Sequence, residues 1–437
     1  MHRSLLALTA ALIPLAPAAA DEGNPVAVRW WGQSFVTVES YWGITVAIDP
    51  YSLDIGYDNP HVEADFVVMT HEHADHSNET LVRGDPVIEH ALAANGNVRT
   101  IGPILDRSPN SPNIHIGSIA QCVFPSSNAV YVQTIASHHD DEQGAKRGNN
   151  ALVLVSVDAV RILHCGDLGQ SSLTDTQLEA IGDVDVLVIP VGGVYTIDGP
   201  TAAAITEQVN PRFVLPIHYK TDVLKIDLQP IDPFLAALPD RFEESRPVGN
   251  TFAVTAGRGP TREAPKVVIP KYTEWQMPQD LARLFAIKET DARKNMAVYK
   301  PLTANQLNHK PANGTHTPRW NVEHTTGVEL LFLSSVYNAI DPSVPVIRLT
   351  PAQMPPDYEP AHPDWDGAEE ARTIERAQAF TRRFAYLLDG LPMDELPQGA
   401  PQFARSLSGL FDLMINHYTE HTDHVKEKFL LPDWPDQ

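Results

Sequence analysis

The stretch MTHEHADHSN, residues 69 to 78, sets three imidazoles and a carboxylate within six positions, at His71, His73, Asp75 and His76. Imidazole nitrogen and carboxylate oxygen are the usual ligands of zinc and related divalent cations. A tight turn can aim His71 and His73 at one point and Asp75 and His76 at another. Without a cation, imidazoles so crowded would only repel one another on protonation. Three later patches carry the same chemistry: His138 and His139 in SHHDDEQGAKRGNN, Asp167 in RILHCGDLG, and His218 in FVLPIHYKT. Arg147, Tyr195 and Lys220 lie close by in sequence and are candidates for gripping a substrate carboxylate or phosphate.

The elements that must position these residues are legible around them. From about residue 26 to 256 short apolar runs rich in Val, Ile and aromatic residues read as strands. They include ADFVVMT before His71, AVYVQTIASH before His139, RILHCGD carrying Asp167, and RFVLPIHY carrying His218. Helical stretches at 175–181 and 200–209 fall between strands, so the region reads as a layered α/β domain. Residues at strand C-terminal ends project into the crevice where such folds place ligands. Cys165 lies in the same motif as Asp167 and reads as a buried thiol and not a ligand. Near residue 260 the character changes. GRGPTREAPKVVIPK reads as a linker with a last extended piece. Helical patterns follow at 278–299, 320–339, 366–390 and 402–430, the third opened by a capping box of Asp366 and Glu369. A Pro-rich crossover at 342–363 joins the second to the third, as in a four-helix bundle.

Composition narrows the function classes. The 437 residues carry a formal net charge of −23, which argues against nucleic acid or an anionic membrane as partner. A small-molecule substrate is expected instead. The opening MHRSLLALTAALIPLAPAAADEG has a basic start, an apolar run and small residues before acidic ones. It reads as a secretory signal peptide cleaved near Ala20. The apolar run is too short to span a membrane and no later one reaches that length, so the expected product is exported and periplasmic, without membrane insertion. Cys122 and Cys165 are the only cysteines, so no disulfide framework is expected.

The motif His71-x-His73-x-Asp75-His76, followed by a later His, an Asp in GD and a final His, resembles the metallo-β-lactamase fold over residues 26 to 256. WWGQSFVTVE, VAIDPY, GAKRGNN, HCGDLG, PVGGVYTID and LPIHYK resemble its ascorbate-6-phosphate lactonase-like branch. Gln33 departs from that pattern, standing where many relatives carry His; it lies outside the metal set. The resemblance implies an αββα sandwich holding two divalent ions, zinc by default and manganese as the alternative. His71, His73 and one of the 138–139 pair, His139 by analogy, would hold one ion. Asp75, His76 and His218 would hold the other, with Asp167 bridging. The resemblance makes Asp75 and Asp167 the catalytic carboxylates, with Asp75 or a metal-bound water to return the proton. The implied reaction is hydrolysis of a lactone or related ester by water activated between the ions. Phosphodiester hydrolysis is the runner-up.

In the C-terminal part, His324 in WNVEHTTG and the pair His417 and His421 in INHYTEHTDHVKEK resemble the metal-binding pattern of DinB-like bundles, over about residues 272 to 435. One further divalent ion is expected there, with His424 as an alternative third ligand. Protonation near pH ~6.5 is expected to weaken that site. A metal-binding or sensing role centred on the bundle is the reading from a different class. The expected organisation is thus a signal peptide at 1–20, a hydrolase domain at 21–262 and an all-α four-helix bundle at 272–437.

Overall fold

The computed structural model describes residues 23–101, 103–104, 130–348, 358–360, 362–401 and 403–435. The signal peptide expected at 1–20 and Cys122 lie outside them. The sheet domain contains β1 (Val26–Trp30), β2 (Val36–Glu39), β3 (Thr45–Ile48), β4 (Phe66–Met69), β5 (Val87–His90), β6 (Pro103–Ile104), β7 (Val130–His138), β8 (Asn149–Val157) and β9 (Val160–His164). It continues through α1 (Asp175–Ile181), β10 (Val186–Pro190), α2 (Gly199–Val209), β11 (Phe213–Ile217), α3 (Asp232–Ala237), β12 (Glu243–Ser245), β13 (Thr251–Val254) and β14 (Lys266–Val268). The helical region contains α4 (Gln279–Tyr299), the short α5 (Ala304–Leu307), α6 (Pro318–Ile340), α7 (Gly367–Arg383) and α8 (Leu407–Lys428).

Two sheets form the first domain. One has the order β13-β1-β2-β3-β4-β5, the other β12-β14-β11-β10-β9-β8-β7-β6. Strand alternation sorts the side chains by face. Val28, Trp30, Val36, Val46, Ile48, Phe66 and Val68 point inward and share one core with β8 to β11. Strands β10 and β11 are buried along their whole length, as VLVIP and FVLPI require when both faces of a parallel sheet are covered. Cys165 is a free thiol in this core, and burial pushes its pKa up.

The outer faces are covered in different ways. On the second sheet α1 packs on β7 and α2 on β10, with α3 against α2. On the first sheet the described connections carry only single 3-10 turns, at Leu53–Ile55 and Glu79–Leu81. Ala47 and Val67 are covered there by an aromatic cluster with Trp31, Phe35, Tyr51 and Tyr57. Ala27 and Ala253 instead enter the core of the helical bundle, beside Phe285, Tyr337, Phe380 and Phe384. The sandwich expected from the sequence therefore takes part of one outer layer from the C-terminal helices, because its own connections there form no α-helix. The expected boundary at 262 moves as well. Strand β14 pairs in parallel with β11 and β12, so the sheet domain reaches at least Val268.

Charge pins the two parts together. Arg383, at the end of α7, forms an ion pair with Glu39 and donates to Ser40 O at 2.9 Å. Glu39 also holds Arg29 at 2.7 Å. Burial alone would raise the Glu39 pKa, but the two guanidinium charges outweigh it and hold the carboxyl below its usual range. Thr255 Oγ1 donates to Ser343 O at 2.6 Å across the same interface. Within the bundle, Lys288 on α4, Glu329 on α6, Gln378 and Thr381 on α7 and Tyr418 on α8 form one buried polar network. Each of the four long helices contributes to it, so its partners are met in one register only.

Removing one partner of a buried ion pair can cost roughly 3 kcal/mol, and less here because Glu39 keeps Arg29 as a partner. Arg383→Ala should therefore lower Tm and separate the unfolding of the sheet domain from that of the bundle. Calorimetry on the full chain checks this, and one unshifted transition contradicts it. The lowered Glu39 pKa gives the sign with pH: its contribution is present above the ordinary carboxylate range and is lost on acidification through the folded value.

Candidate metal centres

The C-terminal ends of four strands meet at one edge of the sandwich. The turn after β4 supplies His71, His73, Asp75 and His76; the end of β7 leads into His139; Asp167 follows β9; and His218 follows β11. Their ligand atoms fall into two groups that share Asp167. In the first, His73 Nδ1 lies 3.2 Å from His71 Nε2 and 3.1 Å from His139 Nε2. Asp167 Oδ2 lies 3.0 Å from His139 Nε2 and 3.8 Å from His71 Nε2. In the second, Asp167 Oδ1 lies 3.0 Å from His76 Nε2 and 3.4 Å from His218 Nε2. Asp75 Oδ2 completes that group, 3.6 Å from His76 Nε2 and 3.9 Å from His218 Nε2. His138 turns away to Asn149 Oδ1 at 3.2 Å.

The residues present fit a pair of cations. His76 Nε2 and Asp167 Oδ1 are buried and have no hydrogen-bond partner, although only 3.0 Å separates them. Buried polar atoms are normally satisfied, and a cation held between such atoms is one way to satisfy both. Burial is the largest cause lowering the pKa of His71, His73 and His218, which keeps their imidazoles in the neutral form that ligates. Burial would lower His76 too, but the charges of Asp167 and Asp49 overcome it and raise His76 well above the ordinary value. Burial opposes the Asp167 charge, while His218 and His76 hold its pKa well below the usual carboxylate range.

A further layer of residues orients these ligands. Asp49, just past β3, accepts from Thr70 N and Thr70 Oγ1, both at 2.7 Å, and holds His76 Nδ1 at 2.8 Å. Asn150 receives the Asp167 N–H at 3.1 Å and donates to Ser137 Oγ and Cys165 O. Gln33 Nε2 donates to Asp75 Oδ2 at 2.9 Å, and Gln33 O receives the His218 N–H at 3.0 Å. Gln33 thus touches two ligand residues, which the sequence reading, placing it outside the metal set, had not foreseen. Asp49 was equally missed. The only signal for it was the AIDP turn after a strand.

The helical region builds a separate cluster. His324 on α6 and His417 and His421 on α8 bring their ligand atoms within 4.8 Å of one another. His421 Nδ1 lies 2.7 Å from Asn321 Oδ1, which leaves Nε2 to face the cluster. Trp320 stacks on His324 with ring centroids 4.4 Å apart. His424 is not part of this trio. Burial, the largest cause, pushes His324 and His417 down to about 4 and His421 to about 2. Proton competition therefore begins well below the pH ~6.5 expected for ordinary imidazoles. The trio lies near the start of α6. Val336, which packs in the core that reaches the sheet domain, is 12 residues beyond His324, about 18 Å along the helix. The clusters share no ligand.

Comparison with known proteins follows this division. The beta-lactamase superfamily domain matches residues 27–218, and the DinB superfamily matches residues 289–425. A UPF0173 metal-dependent hydrolase of Staphylococcus carnosus is 30% identical over 206 residues, covering 44% of this chain and 84% of the relative. A Geobacillus protein of the same name is 29% identical over 231 residues, covering 49% of this chain and 93% of the relative. The chain belongs to the UPF0173 family of metal-dependent hydrolases. A crystal structure from Thermotoga maritima, of the metallo-β-lactamase superfamily, is 27% identical and covers 56% of this chain and 98% of that one, with a TM-score of 0.39. The relatives are named for metal dependence and hydrolysis and not for a substrate. The hydrolase described here is therefore the sheet domain of that family followed by a DinB-like bundle.

The three expected substrate residues separate. Arg147 reaches Val194 O at 3.0 Å and lies 5.7 Å from the centroid of the Tyr195 ring. Lys220 instead donates within its own loop, to Leu224 O at 2.6 Å and Ile226 O at 3.4 Å.

Two outcomes test the assignments. Loss of an outer partner of a ligating imidazole typically weakens metal binding about 10–100-fold. Asp49→Ala should therefore release the ion held by His76 on dialysis, read by elemental analysis; full retention of metal contradicts the role. In the bundle, His324→Ala should abolish zinc binding by the helical cluster and leave hydrolase turnover unchanged. Zinc titration of the full chain with a parallel rate measurement checks this, and a matching fall in turnover would show the clusters to be coupled.

Proposed function

We propose that this metal-dependent hydrolase is exported, holds two divalent ions with zinc as the expected metal, and opens a lactone or related ester. The observation that carries the hydrolytic reading is the split of one buried carboxylate, Asp167, between two sets of imidazoles. Nearby hydroxyl and thiol groups are otherwise engaged. Thr70 Oγ1 is bonded to Asp49, and Cys165 is packed in the sheet core. A bound ion pair would supply activated water and polarise the carbonyl under attack. Asp75 is the ligand-set carboxylate with solvent access, its side chain 20% exposed, and Gln33 fixes its orientation. It is placed to take up a proton and return it to the leaving oxygen.

The lactone reading rests on the motifs shared with the lactonase-like branch. Export rests on the charge and apolar pattern of residues 1 to 20. Among the described residues no helix is long and apolar enough to cross a membrane. A small molecule is the proposed partner, in keeping with the net charge of −23. A third divalent ion, held by His324, His417 and His421, is proposed for the bundle.

The test is turnover by the metal-analysed full chain against lactones, carboxylic esters, phosphodiesters and β-lactams. Lactone or ester hydrolysis is expected, lost on chelation and in Asp167→Ala. Phosphodiester turnover with lactones and esters inert would replace the reading by the runner-up.

A further inference from the structure

Two loops flank the two-ion cluster at its open edge. The first directly follows His139. The carboxylate of Asp140, only 2% exposed, accepts backbone N–H bonds from Glu142, Gly144, Lys146 and Arg147 at 2.8 to 2.9 Å. This single side chain folds the segment and sets where Arg147 leaves it. The second loop, residues 192 to 197, follows β10 and is wedged between two ligand segments. Ile197 N donates to Leu168 O, beside Asp167, at 3.0 Å. On the other side Gly192 approaches so closely that a Cβ would lie 2.1 Å from His218 O.

Arg147 joins the two loops through its bond to Val194 O and its approach to the Tyr195 ring. Val194 has φ +60, a conformation that β-branched residues adopt only where the surroundings force it. Its side chain is not buried by this strain. Val194 is 49% and Tyr195 42% exposed, so the loop presents apolar surface. The neighbouring cations are occupied: Lys146 pairs with Glu142 at 2.7 Å, and Lys220 is bonded to its own loop. Among the described residues Arg147 has no carboxylate partner and bonds through one nitrogen only, leaving further N–H donors of its fork.

We propose that Arg147, Val194 and Tyr195 form the recognition wall of the two-ion site and select substrates that carry an oxyanion, carboxylate or phosphate, beside a flat apolar body. The guanidinium would hold the anion through paired N–H donors, while Val194 and Tyr195 cover the apolar body. In an acidic protein this fixed cation also offsets the repulsion that an anionic substrate meets on approach. The role in turnover rests on the hydrolase reading above; the binding role can be measured without it.

The experiment is calorimetric titration of the metal-loaded full chain with phenylacetate, phenyl phosphate and neutral phenylacetamide. Arg147→Gln keeps a donor for Val194 O but removes the charge. It should weaken at least one of the two anions about 10-fold, or 1.4 kcal/mol, and leave phenylacetamide unchanged; the anion that loses more identifies the class. Tyr195→Ala should weaken all three. Metal content and Tm should match wild type in both variants. Anion binding in Arg147→Gln within twofold of wild type overturns the proposal. Should the binding shifts hold while the substrate panel shows no lactone or ester turnover, the lactone reading fails and the wall stands. Equal turnover of anionic and neutral esters, unchanged in Arg147→Gln, overturns the wall and leaves the hydrolase reading intact.

Discussion

Everything at the catalytic edge depends on one buried negative charge. Asp167 is 1% exposed and faces four imidazoles, two at each oxygen. A carboxylate in such a place is costly unless opposite charge meets it; the neighbouring carboxylates favour the charged form of His76, while burial disfavours it for His71 and His218. The arrangement suits cations, and the rest of the site follows from keeping it aligned. Four strand ends are needed to bring the nitrogens in. Asp49, Thr70, Asn150 and Gln33 are needed to stop those groups relaxing onto one another.

The sheets that hold this edge are themselves held from outside. Alternating residues along β1, β3 and β4 divide between the central core and the outer covers. Ala27 and Ala253 are small where the bundle arrives, and the Arg29–Glu39–Arg383 cluster fixes the approach. The bundle is thus a wall of the first domain as well as the scaffold of its own histidine cluster. Its metal trio sits towards the opposite end of α6, which explains how one helix serves two separate purposes.

Much of this was legible in the sequence, and for identifiable reasons. A dense ligand turn after a Val-rich strand is hard to read otherwise, and His71, His73, Asp75, His76, Asp167 and His218 all stand at the ends of strands with strong periodic or continuous apolar signals. The long helices were visible because their apolar spacing runs for many turns, and Asp366 does cap α7 through Ala368 N and Glu369 N. The short strands β5, β6, β12 and β13 were not read; Val87–His90 and Glu243–Ser245 carry charged residues in place of an apolar run, and Pro103–Ile104 is only a pair. Gln33 and Asp49 act through contacts 42 and 27 residues away in sequence, and such pairings leave no local trace. The carbonyls that Lys220 bonds in its own loop were likewise not legible.

The shared wall also bears on how such a chain could have arisen and whether it could come apart. Two folds joined by a tether can be separated by recombination without harm to either. Here, among the described residues, the outer face of β1 and β13 packs in the core of the bundle, and a buried arginine from the other fold is neutralised across the seam. Each partner has become part of the other's solvent barrier, so a chance deletion of the bundle would expose an apolar sheet face and strand the Glu39 cluster in water. The fusion is therefore close to a one-way step: sequence drift can retune either metal cluster, while the seam restrains any return to independent proteins.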